Sequence, residues 1–302
     1  MIQPPVRIGV IGYGEVGKVF AQGLLGQVGV SAVGAWDRKF VQADLRDAEL
    51  NRAAHHGVIA CTSVQDLCAQ SDLIFSAVTA SSTLTVALQV AEFIRSGSVF
   101  LDLNSASPGT KQQAAAAIDA SGAHYVEAGV MTSVPPYGIR VPMLLGGLQA
   151  APLATLLNAW GMDATAVSEK LGVASAIKMC RSIMIKGLEA LVIESYTTAR
   201  AYGVEDQVLP TLQETFPSID WAQQGAYFFS RVAQHGQRRA EEMREAARTV
   251  SEAGFAPLMA AAIAEKQQWV ADQARGGALL GIDQVASWQD YADRLLATRS
   301  EP

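Results

Sequence analysis

Three glycines and a carboxylate are the first residues in this chain whose types and spacing could do chemistry. The apolar run Val6-Arg7-Ile8-Gly9-Val10-Ile11 leads into Gly12-Tyr13-Gly14-Glu15-Val16-Gly17, and Asp37 closes a second apolar run twenty residues after Gly17. Gly12 permits a tight strand-to-helix turn, Gly14 lets backbone approach a pyrophosphate, and Gly17 lets the helix pack closely on the strand. The helix N-terminus then aims its N–H groups at phosphate oxygens. A bare Gly-x-Gly-x-x-Gly is weak, but here strand, glycines, helix and acid agree, and they point to a bound dinucleotide. A carboxylate at Asp37 accepts hydrogen bonds from ribose hydroxyls and repels a 2′-phosphate, which favours NAD. Arg38 and Lys39 follow at once, and either offers a cation to that phosphate, so NADP stays open.

Two further apolar runs end in polar residues. The run 72–77 passes into Val78-Thr79, and 98–102 ends in Asp102-Leu103-Asn104-Ser105. Ligands bind at the carboxyl ends of strands in open α/β sheets, which assigns Val78, Thr79 and Asn104 to the cofactor and Asn104 also to the substrate. Asn-Ser ahead of Ser107-Pro108 is equally ordinary turn and cap chemistry. Farther on, Ser175, Lys178, Ser182, Lys186 and Glu189 fall at +3, +4, +4 and +3. That spacing draws a polar stripe down one face of a helix otherwise made of Ala, Ile, Met, Leu and Val. Lysine is rarely buried without a partner. The stripe therefore either faces a cleft or pairs internally, in which case Lys178 reaches solvent and Lys186 meets Glu189.

The elements that must position these residues follow from the pattern. Strands are expected at 6–11, 30–36, 58–61, 72–77, 98–102, 124–129 and 141–146. Helices between them start near Glu15, Val41, Ser63, Ser82 and Ser107, the last with serine as cap and proline at the first helical position. A last helix and the short apolar run Ala164-Thr165-Ala166-Val167 complete a Rossmann-type, doubly wound parallel sheet over 1–170. Residues 171–202 read as one long interdomain helix, apolar on nearly every face and hence buried, stopped by Gly203. The rest (205–217, 218–252, 256–275, 283–299) is helical in period, with breaks at Pro210, Pro217, Gly254-Phe255-Ala256-Pro257 and Gly276-Gly277. The second domain, 171–302, is thus expected to be all-α.

Composition narrows the function. At 302 residues, 50% hydrophobic and 17% charged, the chain suits two packed domains. A net charge of −6 argues against general attraction to nucleic acid or to an anionic membrane. Cys61, Cys68 and Cys180 are an odd number without Cys-x-x-Cys spacing, and His55, His56, His124 and His235 give no His-x-x-x-His pair, so neither a disulfide framework nor a metal site is implied. Such thiols fit a reducing cytoplasm. Met1-Ile2-Gln3-Pro4-Pro5 passes straight into the first strand without the pattern of a signal peptide, and no apolar run reaches membrane-spanning length. The expected partner is a small molecule.

The segment Gly172-Val173-Ala174-Ser175-Ala176-Ile177-Lys178-Met179-Cys180-Arg181-Ser182 resembles the Gly-x-Gly-x-x-x-Lys-x-x-Asn-Asn signature of the β-hydroxyacid dehydrogenase superfamily, which includes 3-hydroxyisobutyrate and 6-phosphogluconate dehydrogenases. Leu101-Asp102-Leu103-Asn104-Ser105-Ala106-Ser107-Pro108 and Tyr125-Val126-Glu127-Ala128-Gly129-Val130 are similar to two further stretches of that family, the second to its Asp-Ala-Pro-Val. The segment from His235 to Met243 resembles a phosphogluconate-dehydrogenase-like subgroup with an uncharacterised C-terminal domain. The resemblance implies an NAD(P)-dependent oxidoreductase moving hydride between nicotinamide and a small acid, a 3-hydroxy acid, with Lys178 as general acid/base. It also implies that Ser182 and Asn104 fix the reacting oxygen, that Thr132, Ser133, Arg181 or Arg239 holds the acid group, and that the long helix builds a homodimer. Arg238 and Arg239 otherwise read as a solvated face paired with Glu241 and Glu242. Three departures separate the chain from the well-known members and point to another substrate. Met131-Thr132-Ser133 stands for Ser-Gly-Gly, Arg181 and Ser182 for the two asparagines, and Ala174 for the second glycine. The alternatives are an imine reductase-like enzyme and a catalytically silent dinucleotide-binding sensor.

Overall fold

The apolar runs become strands and the stretches between them become helices. The computed structural model describes residues 4–283 and 285–298. Met1–Gln3 of the lead-in, and residues 284 and 299 of the last expected helical stretch, lie outside these. The strands are β1 (Val6–Ile11), β2 (Val30–Trp36), β3 (Ile59–Ala60), β4 (Leu73–Ser76), β5 (Val99–Asp102), β6 (His124–Val130), β7 (Pro142–Gly146) and β8 (Asp163–Ser168). They form one sheet in the order β3-β2-β1-β4-β5-β6-β7-β8. The chain reverses direction across the sheet between β1 and β4, which places a crevice at their carboxyl ends.

Helices α1 (Glu15–Leu24), α2 (Arg46–His55), α3 (Val64–Gln70), α4 (Thr83–Ala91), α5 (Pro108–Ala120) and α6 (Ala150–Ala159) accompany the sheet. One face packs Phe20, Leu24, Ala53, Leu153 and Leu157 against Val10, Phe75 and Leu101. The other packs Leu67, Ala87, Val90, Ala114 and Ile118 against Ile11, Ile74 and Phe100. Successive strand residues alternate between these two cores, as a sheet buried on both sides requires. Ser63 and Ser107 cap α3 and α5 as their sequence positions indicate.

Two expectations for this unit fail. β7 pairs antiparallel to β6, not parallel. Residues 131–141 between them hold only a 3-10 turn at Gly138–Arg140, whereas a parallel return needs a crossover of about a dozen residues or more, usually helical. Helix α2 starts at Arg46 rather than near Val41, because the Asp37 carboxylate accepts the Lys39 N–H and caps a 3-10 turn over Arg38–Phe40 first.

Helix α7 (Val173–Tyr202) follows, then α8 (Glu205–Thr215), α9 (Trp221–Glu252), α10 (Leu258–Arg275) and α11 (Trp288–Leu296). The chain divides inside α7 into two compact units, Met1–Met179 and Cys180–Pro302. The core of the second is Ile193, Tyr196, Phe229, Val232, Val270, Trp288 and Tyr291. Pro210 does not break α8, which continues through it. The carbonyl that proline leaves without its helical donor belongs to Asp206, which is exposed, so water can take the bond. The expectation that α7 is buried all round also fails within one chain. Ile177, Met184, Ile185, Leu188 and Leu191 are exposed, Met184 by 66%.

Candidate functional site

The crevice is built by the turn from β1 to α1. Gly12 has φ +92°, and a Cβ there would lie 2.4 Å from the Ala77 carbonyl oxygen after β4. A Cβ on Gly17 would lie 1.9 Å from the Gly12 carbonyl oxygen, so only glycine lets α1 approach its own turn this closely. Gly14 is different. A Cβ there meets nothing within 4 Å, and as N-cap of α1 it offers no side-chain acceptor to the first-turn N–H groups. Open space in front of uncapped donors fits a pyrophosphate. Of the other turn residues, Glu15 is exposed, Val16 is half-buried and Tyr13 is enclosed. The Tyr13 ring packs against Phe40, and burial together with the charge of Glu49 raises its hydroxyl above the usual phenol range.

Asp37 stands at the end of β2 with its carboxylate held by backbone. Oδ2 accepts the Tyr13 N–H at 2.7 Å and Oδ1 accepts the Lys39 N–H at 2.9 Å. The acid is thereby locked to the glycine turn, while Arg38 is exposed. Beyond β4, the Thr79 hydroxyl lies 3.1 and 3.0 Å from those of Ser81 and Ser82. Asn104 follows β5 and is buried. Its Oδ1 accepts the Val78 N–H at 2.7 Å and its Nδ2 donates to Ser76 Oγ at 2.9 Å. The side chain expected to face nicotinamide and substrate is thus a brace between two strand ends.

Under that brace lies a cluster that sequence reasoning missed. Lys111 Nζ donates to the Asp102 carboxylate and to its carbonyl, each at 2.9 Å. Tyr125 donates its hydroxyl to the same carboxylate at 2.6 Å, and the Asn104 N–H donates to it at 2.9 Å. Burial and the Asp102 charge push the Tyr125 phenol well above its ordinary range. On the neighbouring strand Glu127 is the register partner of Asp102 and is also fully buried. Acids within the apolar strands Val-Phe-Leu-Asp and His-Tyr-Val-Glu-Ala-Gly-Val were the available signal, because a buried carboxylate must find donors.

Of the remaining expected residues in the first unit, Thr132 is exposed and Ser133 half-buried, both just past β6. Lys178 is half-buried in the second turn of α7. A Cβ built on Gly129, near the end of β6, would lie 3.4 Å from Lys178 Cβ. The lysine is therefore seated at the carboxyl end of β6, the edge of the sheet that also carries the glycine turn, Asp37, Val78 and Asn104.

The second unit holds the other half of the polar stripe, and it pairs internally. Lys186 Nζ lies 2.9 Å from the Glu242 carboxylate and 3.3 Å from Ser182 Oγ. Glu189 does not meet Lys186. It binds the guanidinium of Arg239 through both oxygens and also accepts from Gln267 Nε2 at 3.2 Å. Arg239 is buried in that ion pair rather than solvated beside Glu241 and Glu242. Arg181 is exposed.

These features define a Rossmann-type protein that binds a nicotinamide dinucleotide, and its relatives agree. Residues 7–137 match the NAD binding domain of 6-phosphogluconate dehydrogenase, and residues 199–270 match a domain of unknown function, DUF1932. A conserved hypothetical protein from Sinorhizobium meliloti 1021 is 37% identical, covers 97% of this chain and 96% of its own, and superposes with a TM-score of 0.75. An uncharacterized 28.5 kDa protein in the 7S RNA 5′ region of Methanothermus fervidus is 28% identical over 84% of this chain and 94% of its own. At 15% identity, where likeness carries the fold alone, Mycobacterium tuberculosis 3-hydroxyisobutyrate dehydrogenase solved with L-serine covers 96% of this chain and 99% of its own, with a TM-score of 0.66. A reductive aminase from Aspergillus terreus, solved with NADPH and ethyl levulinate, shares the fold at 17% identity, 97% and 99% coverage and a TM-score of 0.56. The chain belongs to the β-hydroxyacid dehydrogenase superfamily and carries its NAD-binding domain.

Proposed function

We propose that this protein is an NAD(P)-dependent oxidoreductase that acts on the hydroxyl carbon of a small 3-hydroxy acid, prefers NAD(H), and uses Lys178 to move the substrate proton. The observation that carries the reading is the seat of Lys178 against Gly129, at the edge of the sheet where the glycine turn and Asn104 lie. When bound, the nicotinamide ring supplies the hydride acceptor or donor. The chain supplies the rest. Gly12, Gly14 and Gly17 admit the pyrophosphate, Asp37 accepts from the adenosine ribose, and Val78 and Thr79 line the crevice beside it. Neutral Lys178 takes the hydroxyl proton during oxidation and its ammonium returns it during reduction. Thr132, exposed just past β6, offers its hydroxyl to a substrate oxygen at that edge, with Ser133 next to it. Arg239 does not join them, because Glu189 already holds its guanidinium.

The same reading makes the protein a homodimer. The exposed Ile177, Met184, Leu188 and Leu191 recur at +7, +4 and +3 along α7, an apolar seam that suits an isologous contact between two copies of one helix.

A screen of 3-hydroxy acids with NAD and with NADP, followed at the absorbance band of the reduced nicotinamide, tests the proposal. Turnover of an acid supports it. Turnover of a cyclic imine instead would move the protein to the reductive-amination chemistry of its distant neighbour, and tight cofactor binding without turnover of either would favour a sensor.

A further inference from the structure

Glu127 has no exposed surface, and its carboxylate is met by the start of α7. Oε1 accepts the N–H of Gly172 at 2.7 Å and of Ala174 at 3.1 Å, and Oε2 accepts the N–H of Ser175 at 3.3 Å. The first N–H groups of a helix have no partner within it and carry its partial positive charge, so a carboxylate from another element can hold them as a cap does. Room for the acid comes from the neighbouring strand. Gly146 is the register partner of Glu127 on β7, and a Cβ there would lie 2.5 Å from Oε1.

Two residues along the same face of β6, Gly129 makes the second contact. A Cβ on it would lie 3.0 Å from the Ala174 carbonyl oxygen and 3.4 Å from Lys178 Cβ. One strand thus grips one helix at two successive points. A carboxylate clamps the first turn, and bare backbone receives the turn that carries the lysine.

We infer that Glu127 is a positioning residue for Lys178, fixing the height and rotation of the first two turns of α7 so that the amine stays at the carboxyl end of β6. The inference rests on the proton-transfer reading of Lys178. A purely structural cap would stabilise the helix without governing the lysine, and the two differ in a measurable way.

The test labels the full-length protein, with NADH added, using trinitrobenzenesulfonate, and reads each lysine by peptide mass spectrometry. Glu127→Gln keeps the shape of the side chain and removes its charge. Gly146→Ala leaves every ionisable group in place and crowds the carboxylate off the helix. Both should change the labelling rate of Lys178 by about threefold or more, as loss of charge-assisted hydrogen bonds allows, with Lys170 and Lys186 unchanged. Glu127→Asp, which keeps the charge on a shorter arm, should lie between these and the unaltered protein. Hydrogen exchange over 173–176 should rise in the same order. If exchange rises while Lys178 labels at its original rate, Glu127 is a structural cap only and the inference is overturned. Should Glu127→Gln fail to fold, Gly146→Ala and Glu127→Asp carry the same comparison. Labelling reads Lys178 with or without turnover, so failure of the hydroxy-acid reading and failure of this inference are separate results. Once an acid is found, kcat should fall in these variants while the KM for NADH holds.

Discussion

Lys111 Nζ lies 2.9 Å from the carboxylate of Asp102, and neither side chain has any exposed surface. Breaking such a pair from one side leaves an uncompensated buried charge, which costs about 3–5 kcal/mol. Lys111→Met should destabilise the protein by that amount in urea unfolding. Adding Asp102→Asn, which keeps the acceptor for Tyr125 and removes the stranded charge, should restore part of the loss. A double variant no more stable than the single one would contradict this account of the cluster.

Cofactor preference should follow Asp37. NADH is expected to bind more tightly than NADPH, by roughly tenfold or about 1.4 kcal/mol, in a fluorescence titration. Asp37→Ser should narrow or reverse the preference, since it removes the carboxylate that repels a 2′-phosphate. Clear NADPH preference in the unaltered protein would instead assign Arg38 or Lys39 to that phosphate.

Lys178→Met retains helix propensity and bulk, so fold and NADH affinity should survive. Turnover of a verified substrate should fall by roughly 10²–10⁴, the usual worth of a positioned general acid or base. The exposed Lys170 supplies the control as Lys170→Met. Lys186 does not, because its removal strands the Glu242 carboxylate 2.9 Å away. Unchanged turnover in Lys178→Met would shift the proton-transfer role elsewhere.

Sedimentation at micromolar concentration should show a dimer. Placing aspartate at both Met184 and Leu191, which are 66% and 56% exposed in the single chain, should give a folded monomer. A monomer before substitution would remove the interface from α7.

Asp72 supplies a pH dependence far from the glycine turn, at the amino ends of β1 and β4. Burial opposes its charge, but hydrogen bonds from Arg7 and Arg95 outweigh that and hold the carboxyl below its ordinary value of 3.8. A group lowered on folding contributes stability that is complete above its unfolded pKa and disappears as pH falls through the folded value. Asp72→Asn should therefore lower Tm at pH 7 and converge on the unaltered protein as the pH falls below 3.8 and on through the lowered folded value. Equal Tm at pH 7 would show that the two arginines contribute nothing through this acid.

Much of the first unit was legible because each strand is an apolar run closed by turn residues, and because Gly12, Gly14, Gly17 and Asp37 need one another's spacing to work. The direction of β7 was not, since it depends on what lies between 130 and 142 and not on the strand's own residues. Helical spacing alone pointed Lys186 at Glu189, three residues on. The structure sends them to Glu242 and Arg239 instead, partners about fifty residues distant that no local period can reveal. Lys111 escaped notice for a related reason: in Pro-Gly-Thr-Lys-Gln-Gln it reads as one more solvated helix residue, and only the tertiary position of Asp102 turns it inward.

The bracing of Asn104 bears on how this scaffold changes hands between substrates. Its amide is committed to Ser76 and Val78, so a substitution there would loosen the floor of the crevice for every ligand alike rather than exchange one acid for another. Divergence in what the scaffold accepts is then steered toward the rim, to exposed positions such as Thr132 just past β6, where a side chain can be traded without unfastening a strand.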